Sequence, residues 1–213
     1  MYKRQAHDRL STLANNYIYR DAFGPQVRFD QTVINDLLRL LAYQIGQEVS
    51  YGELAGKLSV TKETIMRYID LLEKAFIVFR RNQYRRNQRV EVGRLRKVYF
   101  VDLGIRNAII DNFKPLQVRD DLGNLWENFC VVERLKLLQS QRRRVRSYYW
   151  RNPEQREIDI VEEESEDLRA YECKYSSKIA KMPLSFNRMY PNATFETISP
   201  YNVFDRYLNN QKN

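Results

Sequence analysis

Acidic side chains and one lysine recur at strand-like spacing in the second half of the sequence. The run Glu157-Ile158-Asp159-Ile160 is followed by Glu172-Cys173-Lys174. Residues two apart on a β-strand point to the same face, so Glu172 and Lys174 are expected to project side by side. If the two runs form an antiparallel hairpin, Asp159 lies next to Glu172. Glu127, on a predicted helix upstream, would add a further carboxylate.

This set of side chains is suited to holding a divalent cation. Neighbouring carboxylates repel each other, and a divalent cation relieves that repulsion. Oxygen ligands alone favour Mg²⁺ or Mn²⁺. We therefore predict Asp159 and Glu172 as metal ligands, with Lys174 and Glu127 as catalytic residues; Lys174 would orient a water that attacks phosphorus. The alternative is alternating charge on an exposed hairpin, with Lys174 in an ion pair with Glu172 or Asp159.

Other kinds of catalytic site are excluded or restricted by composition. His7 is the only histidine, which rules out a multi-histidine metal cluster within the chain. Cys130 and Cys173 are the only cysteines, too few for a disulfide framework or a cysteine-rich zinc site. Catalysis is therefore expected to rest on carboxylates, lysine, tyrosine or arginine.

Positive charge is concentrated in two segments. The chain has 36 Lys and Arg against 27 Asp and Glu, a net charge of +9. Residues 80–97 are rich in arginine and contain one acid, Glu91, and a second basic cluster spans 142–151. Focused positive charge attracts phosphates, which favours DNA as a partner. Solvated loops and sheet edges remain the alternative explanation.

The first half of the sequence predicts a helix-turn-helix. Asp30 is a candidate N-cap for a helix over 31–45, and Ser50 and Thr61 are candidate caps for the next two helices. Two β-type runs, 76–79 and 97–101, flank the basic stretch, as in the wing of a winged-helix domain. Candidate DNA contacts lie on the second helix and in this wing: Lys62, Arg67, Arg80, Arg81, Arg85 and Arg86. A protein-protein role for the same fold stays open.

The second half predicts a helix, three strands, a helix and a last strand. A broad apolar face indicates a helix over 121–140, after an earlier one over 4–20 in the first half. Period-two patterns indicate strands at 145–150, 157–162 and 168–175, followed by a helix over 178–189 and a strand at 194–198. The change of domain is expected within 112–120. Taken together, we predict an α+β or α/β fold.

Several blocks of the sequence resemble the C-terminal region of prokaryotic AAA-type ATPases, a region classed as a domain of unknown function. They lie at residues 51–55, 64–78, 97–108, 123–129, 149–151 and 157–161. The resemblance covers roughly residues 10–205. It implies a winged helix over 26–112 and a PD-(D/E)XK nuclease-like domain over 113–213, with a mixed β-sheet flanked by helices as in restriction endonucleases. It assigns Glu127, Asp159, Glu172 and Lys174 to the nuclease-like set.

In such proteins these regions follow a P-loop ATPase module, and 1–25 would be the helical tail of its lid. No G-x-x-x-x-G-K-[ST] motif occurs here, so this chain has no ATP-binding residues, and ATP would act only through that missing module. We expect the chain to be part of a longer cytoplasmic protein, since no membrane span or secretory signal is evident. The expected role is nucleic-acid-associated, with a metal-dependent nuclease-like site. The alternative is a non-catalytic interaction or regulatory module of the ATPase. The oligomeric state is left open.

Overall fold

The computed structural model describes residues 30–85 and 95–208. They fall into two compact units. The first unit comprises 30–80 and 95–119, and the second comprises 81–85 and 120–208. No helix in the described part of the chain is both long enough and apolar enough to cross a membrane.

The first unit combines four α-helices with a small sheet. In chain order its elements are α1 (Gln31–Tyr43), β1 (Glu48–Val49), α2 (Tyr51–Leu58), α3 (Lys62–Lys74), β2 (Val78–Arg81), β3 (Arg96–Phe100) and α4 (Leu103–Ile109). A 3₁₀ turn at Leu116–Val118 follows. The three strands are ordered β1-β3-β2, so β3 is central and pairs antiparallel with β1.

Side-chain caps set the starts of the first three helices, as predicted. The Asp30 carboxylate accepts hydrogen bonds from the backbone N–H groups of Thr32 and Val33. Ser50 Oγ and Thr61 Oγ1 likewise accept from the third residue of α2 and α3. Each cap satisfies amides that have no partner within the first helical turn. The apolar faces that these helices bury form the core of the unit, including Ile34, Leu37, Leu38, Leu41, Ile65, Ile69 and Leu72.

The second unit is a four-stranded mixed sheet with helices. Its elements are α5 (Leu122–Ser140), β4 (Arg146–Arg151), β5 (Glu157–Glu164), β6 (Asp167–Cys173), α6 (Leu184–Met189), β7 (Thr194–Ile198) and a π-helical turn at Val203–Leu208. The strand order is β4-β5-β6-β7. The first two pairings are antiparallel, and β6 with β7 is parallel, with α6 in the crossover between them.

Side chains of α5 and α6 pack on this sheet. From α5, Arg134 reaches Glu162 of β5, and Cys130 lies against Cys173 of β6. From α6, Phe186 packs on Trp150 with ring centroids 5.1 Å apart, in a core that includes Ile158, Val161 and Ala170. These contacts attach α5 and α6 to the sheet that carries the acidic residues of β5.

Most of the predicted elements are confirmed with ends shifted by one or two residues. The strand predicted over 168–175 ends at Cys173, so Lys174 lies just past it. Two differences are larger. The helix predicted over 178–189 begins only at Leu184. Pro183 precedes it, and a residue before proline disfavours helical backbone, so 174–183 is a loop. The helix predicted over 4–20 and the lid tail over 1–25 lie outside the described residues.

The other difference concerns the predicted wing. Residues 81–85 belong to the second unit, which continues at 120, the end of the predicted boundary segment. Their backbone pairs with β4: Tyr84 N–H donates to Tyr149 O at 2.6 Å, and Tyr149 N–H donates to Asn82 O at 3.2 Å. Tyr84 is buried in the same core as Trp150. These residues extend the sheet of the second unit, whereas 86–94, the rest of the predicted wing tip, lie outside the described residues.

Candidate metal centre

Three carboxylates converge between α5 and β5. Glu127 of α5 and Glu157 and Asp159 of β5 each offer an oxygen, and these oxygens all lie within 4.8 Å of one another. Glu127 and Asp159 are each only 8% exposed. Clustered, buried negative charge is unfavourable unless a cation or protons neutralise it. All three side chains are oxygen donors, the ligand type preferred by Mg²⁺ and Mn²⁺.

A β-bulge places Asp159 in the cluster. Tyr148 pairs with Val161 and Trp150 pairs with Ile158, so Asp159 and Ile160 of β5 stand opposite a single residue of β4. The regular pairing of β5 with β6 begins at Ile160. Past the end of this pairing, Asp159 Oδ2 accepts a hydrogen bond from the Cys173 backbone N–H at 2.8 Å. A bulge typically re-aims a side chain in this way, and here it turns a strand residue toward α5 and the end of β6.

Arg81 forms hydrogen bonds to the backbone on both strands of the bulge. Its guanidinium donates to the Asp159 carbonyl at 3.2 Å, the Tyr148 carbonyl at 2.6 Å and Ser147 Oγ at 2.7 Å. The residue is 3% exposed. Sequence analysis placed Arg81 among the DNA contacts. The structure instead gives it a buried position that orients the backbone of Asp159, because a guanidinium with three oxygen acceptors is already engaged.

Glu172 and Lys174 stand beside the three carboxylates. Lys174 Nζ donates to Glu172 Oε1 at 2.6 Å. Burial raises the pKa of the Glu172 carboxyl. Lys174 opposes that rise, while the charges of Glu127 and Glu157 add to it. The negative charges of Glu127 and Glu157 therefore act directly on the Glu172 carboxyl, and the positive charge next to it is that of Lys174.

Lys174 remains a protonated ammonium in this setting. Burial by itself would lower its pKa, but the hydrogen bond to Glu172 and the charges of Glu172 and Asp159 raise it above the ordinary value. Its backbone N–H donates to the Ile198 carbonyl at 2.9 Å, which ties the end of β6 to β7. The four residues predicted from the sequence, Glu127, Asp159, Glu172 and Lys174, are thus brought to one region.

Glu157 was named from the sequence only as part of the run 157–160 and was given no role in the site. It ion-pairs with Arg151 of β4, with 3.6 Å between Glu157 Oε2 and Arg151 Nε. The sequence did contain a signal for grouping Glu157 with Asp159. The two are two residues apart on one strand, which is the same spacing that linked Glu172 to Lys174. The structure groups Glu157, rather than Glu172, with Glu127 and Asp159.

The two cysteines next to this region are not suited to reactive chemistry. Cys130 and Cys173 are both buried and free of disulfides. The hydrogen bond between the Cys173 thiol and Cys130, then burial, then the charges of Cys130, Asp159 and Glu127, raise the pKa of the Cys173 thiol well above its ordinary value. A protonated, buried thiol is a poor nucleophile and a poor metal ligand. The oxygen donors therefore define the site.

The remaining predicted DNA contacts have different settings. Lys62 and Arg67 are exposed on α3, and the Arg67 guanidinium lies 5.2 Å from the Tyr68 ring centre. Arg80 is ion-paired with Asp70 at 2.5 Å and with Glu73. Arg85 donates to Gln83 Oε1. Arg86 lies outside the described residues. Lys62 and Arg67 are thus exposed cations of the predicted recognition helix, as is Lys74 at its end, whereas Arg80 is engaged within its own unit.

Comparison with known proteins divides the chain between residues 116 and 122, where the first unit also ends, although residues 81–85 of the second unit fall inside the first match. A family model described as "Domain of unknown function (DUF8612)" matches residues 2–116, and one described as "Domain of unknown function (DUF4143)" matches residues 122–203. The candidate metal centre lies within the second match. No solved structure matches the chain.

The relatives found are uncharacterized proteins. One from Mycobacterium tuberculosis and one from Mycobacterium bovis are each 31% identical over 163 residues, which is 76% of this chain and 36% of the relative. One from Methanocaldococcus jannaschii is 28% identical over 108 residues, 49% of this chain and 22% of the relative. The chain therefore spans about a third or less of the length of these relatives. Because the first family model matches more than half of its residues, the chain belongs to the DUF8612 family.

Proposed function

We propose that the second unit is a PD-(D/E)XK-like, divalent-metal-dependent nuclease domain. The observation that carries this proposal is the convergence of Glu127, Glu157 and Asp159 within 4.8 Å, beside the Glu172–Lys174 ion pair. The order of elements, α5-β4-β5-β6-α6-β7, and the mixed sheet support it, because they are those expected of this fold. Glu127, Glu157 and Asp159 would hold Mg²⁺ or Mn²⁺.

The proposed reaction is hydrolysis of a phosphodiester. A water oxygen forms a bond to phosphorus, one ester P–O bond breaks, and the water proton passes to the departing oxygen. A bound divalent ion supplies positive charge that stabilises the transition state. Lys174 hydrogen-bonds the attacking water or a phosphoryl oxygen, and Glu172 fixes the position of its ammonium group. Arg81 keeps Asp159 oriented through the bulge.

The first unit is proposed to be a winged helix that binds DNA. The order α1-β1-α2-α3-β2-β3 and the sheet order β1-β3-β2 support this assignment. Exposed Lys62 and Arg67 on α3 would contact phosphates. Such contacts release counterions, so binding is expected to weaken steeply as salt rises.

The context is proposed to be that of an AAA-type ATPase. Residues 122–203 match a domain associated with such ATPases, and the relatives are much longer than this chain. The pair of units would then be the part that acts on DNA, with nucleotide-driven motion supplied by a P-loop module elsewhere in the protein.

The test is calorimetric titration with Mn²⁺ together with a plasmid nicking assay. The chain is expected to give a binding heat and Mn²⁺-dependent nicking. Asp159→Asn should remove both, because the amide brings no negative charge to the cluster. Glu166→Gln, an exposed acid in the β5–β6 turn, is the matched control and should change neither. Nicking that persists in Asp159→Asn would reject the assignment.

A non-catalytic interaction module is the second candidate. The observation that favours it is a pair of exposed aromatic side chains in the second unit, Tyr201 at 77% and Phe204 at 65% exposure. They are three residues apart, and exposed apolar groups of this size are common at protein-protein contacts. An absence of Mn²⁺ heat and of nicking, together with no retention of DNA at low salt, would favour this role.

A further inference from the structure

An exposed aromatic ring lies directly after the site lysine. Tyr175 follows Lys174 and is 41% exposed, whereas tyrosines of the cores, such as Tyr99 and Tyr149, are fully buried. Its ring meets Trp126 of α5 edge to face, with centroids 5.7 Å apart and planes at 72°. An edge-to-face pair covers at most one face of each ring, which leaves part of the Tyr175 ring in contact with solvent.

The position of this ring is fixed relative to the metal centre. Trp126 is the residue before Glu127, and it is 8% exposed. Its indole N–H donates to the Ile198 carbonyl at 3.1 Å, the same carbonyl that accepts the Lys174 N–H at 2.9 Å. Trp126 also stacks on Phe129, with centroids 5.4 Å apart. The Trp126–Tyr175 pair is therefore held by the same elements that carry Glu127 and Lys174.

The segment that continues from Tyr175, first as a loop and then as α6, has a single sign of charge. From Lys174 to Phe195 the charged residues are Lys174, Lys178, Lys181 and Arg188, with no acid among them. Lys178, Lys181 and Arg188 are exposed. The loop is anchored to β7, since Ala180 N–H donates to Thr197 Oγ1 at 2.9 Å. A fixed aromatic platform beside a cationic track is the combination that binds single-stranded nucleic acid.

We propose that Tyr175 stacks on an unpaired base of the substrate, and that Lys178, Lys181 and Arg188 follow its phosphates. The inference rests on the proposed nuclease function and names its substrate class: nucleic acid that is single-stranded at the cleaved position. Stacking on Tyr175 places the adjoining phosphodiester next to Lys174. A paired base has both faces covered by its neighbours in the duplex and cannot make this contact.

The experiment measures binding separately from cleavage. The full chain carrying Asp159→Asn is titrated against fluorescein-labelled oligothymidine and against the same strand annealed to oligoadenosine, with fluorescence anisotropy as the signal. Tyr175→Ala, Tyr175→Phe and Tyr201→Ala are each tested in that background. Tyr201→Ala is the matched control, because it removes another exposed tyrosine of the same unit.

Tyr175→Ala is expected to weaken single-strand binding by about 5- to 150-fold, the equivalent of one lost base–aromatic stack. Duplex binding should change little, and Tyr175→Phe and Tyr201→Ala should bind like the parent. Equal losses on single strand and duplex, unchanged binding in Tyr175→Ala, or no binding of oligothymidine by the parent would each overturn the inference.

The failure of this inference is distinguishable from failure of the proposed function. A wild-type chain that binds Mn²⁺ and nicks DNA, but whose Tyr175→Ala variant keeps the preference for single strands, rejects the stacking role alone. A wild-type chain with no Mn²⁺ heat and no Mn²⁺-dependent cleavage of either the plasmid or a single-stranded oligonucleotide rejects the nuclease function itself.

Discussion

The two halves of strand β5 carry acidic side chains in different electrostatic settings. In the second half, each acid has a guanidinium of its own. Glu162 accepts two hydrogen bonds of 2.9 Å from Arg134, Glu163 lies 3.1 Å from Arg146, and Glu164 binds both Arg143 and Arg169. In the first half, Glu157 and Asp159 lie close to a third carboxylate, that of Glu127, and the Arg151 guanidinium lies 3.6 Å from the Glu157 carboxylate.

This difference separates a structural role from a chemical one. A carboxylate held by a bidentate arginine has its charge balanced and its lone pairs occupied, so it serves the fold. Carboxylates that face one another are balanced best by a ligand with concentrated positive charge. The bulge at Asp159 and Ile160 lies between the two settings. Side chains on either side of it are therefore expected to respond differently to substitution.

The largest expected effect is on the stability of the second unit, from the arginine that pairs with Glu162 in the second half of β5. Arg134→Met leaves Glu162 as a buried carboxylate without its guanidinium, since both side chains are 1% exposed. The free energy of unfolding of the second unit should fall by about 3–5 kcal/mol, measured by urea denaturation. Lys136→Met is the matched control on the same helix. Lys136 is 56% exposed and its partner Glu133 34%, so the loss should stay below about 1 kcal/mol. Similar losses in the two variants would contradict the structural role.

A smaller effect is expected on metal binding, from a substitution in the first half of β5. Glu157→Gln keeps the shape of the side chain and removes one negative charge, so the affinity for Mn²⁺ should fall about tenfold or more, roughly 1.4 kcal/mol. Isothermal titration calorimetry measures the change. Glu163→Gln, the same substitution further along β5, should leave the affinity unaltered. If Glu157→Gln binds Mn²⁺ like the wild type, Asp159 and Glu172 become the better pair of ligands, as the sequence suggested.

Local signals in the sequence were sufficient for much of the fold. The caps at Asp30, Ser50 and Thr61 mark helix starts because the bonds they make span only two or three residues. The period-two runs predicted β4, β5 and β6 for the same reason, since side-chain alternation is a property of the strand itself. The convergence of Glu127, Asp159, Glu172 and Lys174 followed from the order of elements together with a resemblance to a known family.

What the sequence could not show depends on contacts between distant residues. The bulge at Asp159 exists only relative to β4, and Arg81 reaches it from 78 positions earlier in the chain. A basic run gives no sign of which arginines will be buried, so Arg81 was read as part of a wing. The exposure of Tyr175 likewise depends on Trp126, 49 positions away, and on a loop that ends where Pro183 allows α6 to begin.

The smallest expected effect is a pH dependence of stability that arises from Glu164, in the second half of β5. The hydrogen bond from Arg143 lowers the pKa of Glu164 from 4.5 to about 2; burial opposes this, and Arg169 adds to it. The folded state thus binds this proton more weakly than the unfolded state. Glu164 therefore stabilises the fold above pH 4.5, and the contribution is lost as pH falls from 4.5 toward 2.

Glu164→Gln should accordingly cost about 1 kcal/mol near neutral pH and almost nothing near pH 2, in urea denaturation across that range. Raising the salt concentration serves as the control, because screening of the partly exposed Arg143 and Arg169 pairs should shrink the neutral-pH difference. A variant curve parallel to that of the wild type at every pH would mean that Glu164 is not held by its arginines. The contrast between the two halves of β5 would then rest on Glu162 and Glu163, and the Glu162–Arg134 pair is the one of these two that is buried away from salt.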